Sequence, residues 1–463
     1  EDKDDLVIYE LLLRDFTDNA YREGSLKAAM EYLDYIEDLG VNAIELMPVQ
    51  EFDGNASWGY NPCAYFALDK VYGTREDYKM FIDECHSRGI AVILDVVYNH
   101  VTGSHPYAAQ RFIYDGDNSR PDPQNPWFNE YSPHQFSVHS DWDHSNGMFR
   151  DHMKQSLEYL LNEYKIDGFR FDLSKGFTQN SGKEESYDES RVGYLKEYNY
   201  HIYCVNSNAV VICEHLVDAE NVALGNDGMY VWRNMNEPYI KAMKRDMSLA
   251  DFRGTTNNFD NSSGMMSDEQ NFGMLVGYQE SHDEQRTNFE GQWDYTGASI
   301  DFATRIERAK INAAFFLMSP GPKMIWQFGE IGYDISIEEN GRTGEKPVLT
   351  DEYVAVPARK GLYDTYAALL KFRKENPRFF DSAAEFRWYA GTSNFPGKYL
   401  FNKVDGKNMA IFANFGKGDQ VISVELPHGG TWYNYFRKDE VWTGANHTPT
   451  LKEGEFVFLV DWK

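Results

Sequence analysis

The chain has little of what would announce a metal centre or a cross-linked fold. Its four cysteines, Cys63, Cys85, Cys204 and Cys213, show no CxxC spacing and no dense framework, so neither structural zinc nor a disulfide scaffold is indicated and the redox compartment stays open. Basic residues are scarce. Lys and Arg number 45 against 73 Asp and Glu, a net charge of −28. Phosphate would be repelled over most of such a surface, which disfavours nucleic acid and anionic membranes as partners but not a neutral polymer. No run approaches the roughly 20 apolar residues of a membrane span. The acidic start EDKDDL is no signal peptide. Because the first strand begins almost at once, removal of a leader or an upstream domain is expected.

Hydrophobic residues make up 42% of the 463 positions and aromatics 15%, enough for one large core with a smaller one beside it. That composition excludes disorder and coiled coil. The ten tryptophans and many tyrosines and phenylalanines suit stacking on flat neutral ligands such as sugar rings, although most aromatics in any protein are core.

Apolar strands alternate with amphipathic helices along most of the chain. VIYELLLRDF (Val7 to Phe16) reads as a buried strand. Ser25 then opens a helix with Leu26, Met30, Leu33, Ile36 and Leu39 on one face, stopped by Gly40. VNAIELMPV is a second strand, followed by a helix from Arg75 capped by Thr74, and IAVILDVVYNH is a third strand. Met148 to Tyr164 forms another helix. IDGFRFDLSKGF carries strand four and AVVICEH strand five; MYVWRN is the best candidate for six, with MLVGYQESHD and PKMIWQF as the last two. Such alternation implies a parallel sheet covered on both faces. About eight strands over some 380 residues fit a closed (β/α)8 TIM barrel better than an open sheet.

The polar residues cluster at the C-terminal strand ends, which a barrel gathers on one rim. Strand three ends in Asp95, Asn99 and His100, strand four in Arg170 and Asp172, strand five in Glu214 and strand seven in His282 and Asp283. Period-two alternation points Arg170 and Asp172 the same way. An arginine that close favours an ionised aspartate, suited to a nucleophile, while Glu214 follows the apolar run VVIC, whose desolvation favours a protonated acid. Two carboxyl groups in different states are what glycoside hydrolysis requires.

DVVYNH, GFRFD, the glutamate of VVICEH, and SHD resemble the four ordered motifs of the α-amylase superfamily of retaining glycosidases, glycoside hydrolase family 13. WGYNPCAYFALDKVYGT and the flanking strands are similar to the family too, so the resemblance covers essentially the whole chain. It implies Asp172 as nucleophile, Glu214 as general acid/base and Asp283 as the third, substrate-holding carboxylate. Arg170 would orient Asp172, His100 and His282 would hydrogen-bond sugar hydroxyls, Tyr60 would stack on the sugar ring, and Lys175 would line a neighbouring subsite. No cofactor is required by this chemistry. Many relatives carry a structural calcium ligated partly by the asparagine matching Asn99, and the loop after strand three here offers Asp115, Asp117, Asp141 and Asp143.

The resemblance also divides the chain: barrel 1–100, a loop-rich domain B insertion 101–147, barrel 148–382, and a C-terminal antiparallel β-sandwich 383–463. Trp127, Phe128 and Trp142 in the insertion are candidate sugar platforms, with packing of the loop itself the stronger reading. Two departures stand out: Gly176, not histidine, follows Lys175, and His215 follows Glu214. The expected substrate is an α-glucan such as starch, glycogen or maltooligosaccharides, cleaved at α-1,4 bonds. The alternatives are α-1,6 debranching, as in pullulanases, glucanosyl transfer, and a non-catalytic glucan-binding protein. A polymer substrate suits a secreted or periplasmic bacterial protein better than a cytoplasmic one.

Overall fold

Eight short strands close into a parallel barrel: β1 (Val7–Leu11), β2 (Ala43–Leu46), β3 (Ala91–Val96), β4 (Gly168–Phe171), β5 (Val210–Cys213), β6 (Tyr230–Asn234), β7 (Leu275–Tyr278) and β8 (Lys323–Trp326). The computed structural model describes residues 5–17, 24–253, 274–381, 383–393 and 395–463. The first four residues of EDKDDL and the expected boundary at residue 382 lie outside these. Each strand pairs in parallel with its sequence neighbours, and β1 closes the ring against β8. The sequence overestimates strand length, because apolar character continues into the rim: β1 stops at Leu11, and Leu13–Asp15 is already a 3-10 turn.

Local signals set the helices. Ser25 caps its helix through Ala28 N at 3.2 Å, though that helix is divided into Leu26–Met30 and Leu33–Leu39 before Gly40 ends it at φ 97°. Thr74 and Asp77 form a reciprocal capping box that starts Arg75–Ser87. The last barrel helix is Pro357–Glu375, opened by a proline at its first position.

Alternation along the strands produces two surfaces. Tyr9, Leu11, Ile44, Leu46, Val92, Leu94, Phe169 and Phe171 face the helices. Ile8, Ala43, Ile93, Val210, Ile212, Val276 and Met324 fill the barrel interior with a separate apolar core. Toward the C-terminal rim that interior turns ionic: register places Glu10 beside Glu45 and Asp95 beside Arg170. Gly168 is needed at the base of β4, where a Cβ would lie 2.2 Å from Val210 O.

Between β3 and the helix Gly147–Tyr164, two small ribbons, His100–Val101 with Ser140–Asp141 and Phe112–Ile113 with Arg120–Pro121, break the strand-helix rhythm. Its aromatics pack inward. Trp142 is fully buried between Phe128 and Phe149, with ring centroids at 4.1 and 4.3 Å, and its Nε1 donates to Tyr65 Oη at 2.7 Å. Trp127 stacks on Tyr107 at 4.4 Å.

The C-terminal region is a six-stranded antiparallel sheet of β9 (Glu385–Tyr389), β10 (Gly397–Val404), β11 (Lys407–Asn414), β12 (Thr431–Asn434), β13 (Val441–Thr443) and β14 (Phe456–Val460), in the order β9-β10-β11-β14-β12-β13. Met409, Ile411 and Ala413 of β11 join the barrel's outer core, while Ala410 and Phe412 join Ile422, Val424 and Leu426 of the covering ribbons. Arg308, on the barrel helix Phe302–Leu317, ties the sheet down by donating to Phe415 O at 3.0 Å and Glu453 at 3.1 Å.

Candidate active site

Arg170 is the hub of the rim. From β4 its Nη1 donates to both oxygens of Asp95 at 2.9 and 2.8 Å and to Asp172 Oδ1 at 3.1 Å, and its Nη2 lies 2.9 Å from Glu214 Oε2. The guanidinium sits 4.1 Å from the ring centre of Trp232 on β6. Backbone bonds continue the ladder just beyond the strands, Asp172 N to Val96 O and Glu214 N to Phe171 O, both 3.0 Å. Glu214 Oε2 also accepts from Leu173 N at 2.9 Å. The two residues expected to be nucleophile and acid are therefore bridged by one cation.

Burial and the crowding of carboxylates change the expected electrostatics. Burial, followed by Glu214, Asp95 and Asp283 against the opposing pull of Arg170, raises the Asp172 carboxyl well above the usual carboxylate range. Arg170 opposes this rise and favours the ionised form. Below this cluster, burial and Asp95 also raise Glu45, a fully buried carboxyl of β2.

Across the opening, His282 donates from Nδ1 to Glu10 Oε1 at 2.6 Å, and its Nε2 lies 3.5 Å from Asp283 Oδ2. Burial opposes its charge, but Asp283 and Glu10 raise its pKa to about 10, so it is an imidazolium at neutral pH. Tyr60 stacks on it at 4.9 Å and donates to Asp95 Oδ2 at 2.6 Å, so that its half-buried ring is fixed from both ends. Asp283 is the open carboxylate, 40% exposed; Arg342, from the segment after β8, donates to its Oδ1 at 3.2 Å and its backbone oxygen at 2.6 Å. Beside His282 lies a small hollow lined in part by Leu12, Trp58, Trp326 and Ile337.

The remaining expected residues are placed differently. His100 is buried and both its nitrogens are occupied: Nε2 donates to Tyr60 O at 2.8 Å and Nδ1 accepts from Asn99 Nδ2 at 3.1 Å. In this arrangement it braces the Tyr60 backbone instead of offering a nitrogen to a sugar. Burial lowers its pKa to about 4, so it is neutral. Lys175 is paired with Glu185 at 2.9 Å and lies 4.1 Å over Phe136, without contact to the three carboxylates.

The residues offered for calcium do not form its oxygen cage. Asp115 and Asp117 are exposed and Asp143 caps Ser145. Asp141 is occupied by His134 Nε2 at 2.9 Å, Asn129 Nδ2 at 2.7 Å and Ser132 Oγ at 3.3 Å. Asn99 Oδ1 is buried without a hydrogen bond, and it lies with the His134 imidazole against Gly176, where a Cβ would be 2.1 Å from Asn99 Oδ1 and 3.0 Å from His134 Nε2. No cluster of three or more His, Cys, Asp or Glu able to hold a metal occurs among the described residues. The same crowding explains why glycine follows Lys175.

Several partners escaped the sequence reading. Asp95 was visible at the end of its strand but carried no role. Glu10 had a signal, a carboxylate interrupting VIYELLL inside a buried strand; Trp232 and Arg342 had none, since only closure of the barrel brings them to the rim.

A closed parallel barrel with acidic residues converging at its C-terminal rim is the architecture of a barrel glycosidase. Residues 10–352 match the family described as alpha amylase, catalytic domain, and the chain belongs to that family, glycoside hydrolase family 13. A malto-oligosyltrehalose trehalohydrolase of Saccharolobus solfataricus is 34% identical over 182 residues, 39% of this chain and 29% of that protein. Alpha-amylase 3 of Dictyoglomus thermophilum is 25% identical over 386 residues, 78% of this chain and 69% of that one. The structure of an Anoxybacillus α-amylase superposes with a TM-score of 0.75 at 17% identity, covering 99% of this chain and 98% of that one. A 1,4-α-glucan branching enzyme and a pullulanase are also similar over part of their lengths. The chain thus spans less than a third of the trehalohydrolase it matches. No described helix is long and apolar enough to cross a membrane.

Proposed function

We propose that the chain is a retaining α-glucan hydrolase cleaving α-1,4-glucosidic bonds of starch, glycogen or maltooligosaccharides. The observation that carries this reading is the bridging of Asp172 and Glu214 by Arg170, with Asp283 facing them across an open rim. In the reactive form Asp172 is ionised beside Arg170 and the proton is on Glu214, which gives it to the glycosidic oxygen while Asp172 attacks the anomeric carbon; the C–O bond breaks and a covalent glycosyl-enzyme forms. Glu214, now a carboxylate, takes a proton from water, which attacks the same carbon and releases Asp172. Two inversions retain the α configuration.

Arg170 supports both steps by offsetting negative charge as it moves between Asp172 and Glu214. Charged His282 and Asp283 hold sugar hydroxyls, and Tyr60 and Trp58 supply apolar faces. The insertion 101–147 lies over the cleft as domain B, and a polymer substrate suits secretion or a periplasmic site. α-1,6 cleavage is the second reading, favoured by the similarity to a pullulanase. Product analysis on amylose and pullulan separates them: maltooligosaccharides from amylose support the first, and maltotriose from pullulan alone supports the second. No product from either substrate would leave a glucan-binding protein.

A further inference from the structure

Behind Glu214 lies a fully buried ionic network that the reaction above does not use. Glu220, on the helix Asp218–Gly225, accepts from Arg191 Nε at 2.9 Å and Nη2 at 2.7 Å and from Asp188 N. Its Oε2 also lies 2.7 Å from His215 Nε2. On the other side of that imidazole, Nδ1 is 3.0 Å from Ser174 Oγ, which is itself 2.9 Å from the carbonyl oxygen of Glu214. Ser174 N donates to the same carbonyl at 3.0 Å. Glu220, His215, Arg191 and Ser174 are all completely buried.

The network meets the chain where the backbone is strained. Leu173, directly after Asp172, has φ 44°, and Leu216, two residues after Glu214, has φ 53°. Branched side chains rarely adopt the left-handed region, and such conformations persist only when surrounding contacts over-determine them. Ser174 follows one strained residue and His215 precedes the other. Arg191 also donates to Lys175 O at 2.8 Å and Ser186 O at 2.9 Å, so the same ion pair fixes the loop after β4.

We infer that Glu220 is a positioning residue for Glu214, acting through His215 and Ser174 to fix the acid/base carboxyl against the leaving oxygen. This rests on the hydrolase reading above. Burial opposes the Glu220 charge, but hydrogen bonds from His215 and Arg191 hold its pKa below the usual range, so it is a carboxylate. It therefore directs the Nε2–H of His215 toward itself, which sets the orientation of the imidazole and makes Nδ1 an acceptor for the Ser174 hydroxyl, so that the Ser174 N–H is left to hold the Glu214 carbonyl. Proton transfer needs a heavy-atom separation of about 2.6–3.2 Å. A small shift of the Glu214 backbone takes its carboxyl outside that range while leaving Asp172, on β4's own ladder, in place.

The test compares two substrates of the purified chain. A maltooligosaccharide needs a proton on its leaving oxygen; α-maltosyl fluoride does not, since fluoride leaves as the anion when Asp172 attacks. Glu220→Gln and Ser174→Ala should lower kcat/KM on the maltooligosaccharide by about tenfold to a hundredfold. On the fluoride both variants should stay within about threefold of the parent. Ser174→Ala leaves the Glu220–Arg191 pair intact and decides the matter if Glu220→Gln does not fold. Equal losses on both substrates, or no loss on either, overturn the inference while the parent chain remains active. A parent chain inactive on both substrates sinks the hydrolase reading itself and this inference with it.

Discussion

The two banks of the cleft are built on opposite principles. On the bank of β4 and β5, Asp172 and Glu214 stand on ladder hydrogen bonds, share a fully buried guanidinium, and are backed by Ser174, His215, Glu220 and Arg191. On the bank of β7 and β8, Asp283 is 40% exposed and its outer partner Arg342 is 47% exposed. In the proposed mechanism the groups that make and break bonds are held where a fraction of an ångström matters, whereas the group proposed to receive sugar hydroxyls is left free to exchange partners.

If that contrast holds, substitutions on the first bank should act on kcat and those on the second on KM. The largest effect belongs to Asp172→Asn. It removes the attacking carboxylate but keeps its volume, and kcat on maltooligosaccharides should fall by about four orders of magnitude or more with thermal unfolding nearly unchanged. Retention of substantial activity would move the nucleophile elsewhere on the rim.

His282 tests the second bank through pH. Its pKa in the folded protein is about 10, above the ~6.5 of an unfolded histidine. The charged form is therefore favoured by folding; the stability it contributes is complete below about pH 6.5 and is lost as pH rises toward 10. Melting temperatures followed from pH 6 to 10.5 should decline for the parent chain, and the decline should flatten in His282→Gln. Parallel curves would mean that Glu10 and Asp283 do not hold a charged imidazole.

Arg342→Met should have a smaller effect. An exposed pair contributes about 0.2–1 kcal/mol, so freeing Asp283 should change KM for maltooligosaccharides by up to about fivefold, with kcat little altered. A fall in kcat without change in KM would place Arg342 among the groups that stabilise the transition state, and the contrast between the banks would fail.

What the sequence made legible follows the same division. The barrel could be read because its strands are apolar runs separated by well-capped helices, as at Thr74 and Asp77. The carboxylates could be read because each ends such a run. The surroundings of Asp172 could not: the spacing of Arg170 and Asp172 shows one arginine beside one aspartate, and only the register that sets Asp95 opposite Arg170, with Glu214 at the next strand end, reveals three claims on that cation. The occupancy of His100 was equally hidden, since Tyr60 lies 40 residues away and meets it only through the loop after β2.

Calcium supplies the smallest expected effect and probes the base of the first bank. A structural ion would sit where the insertion meets the rim, near Asn99. Here Asp141 spends its oxygens on His134, Asn129 and Ser132, and Gly176 leaves room for the Asn99 and His134 side chains. The His134 imidazole satisfies Asp141 from within the insertion itself. Ligand-linked stability scales with ligand concentration, so EDTA should leave both activity and melting temperature unchanged, and added calcium should raise neither. His134→Ala removes the imidazole that satisfies the buried Asp141, and should lower the melting temperature of this chain by several degrees whether or not calcium is present. A loss of stability in EDTA that calcium restores would show that His134 moves aside for the ion.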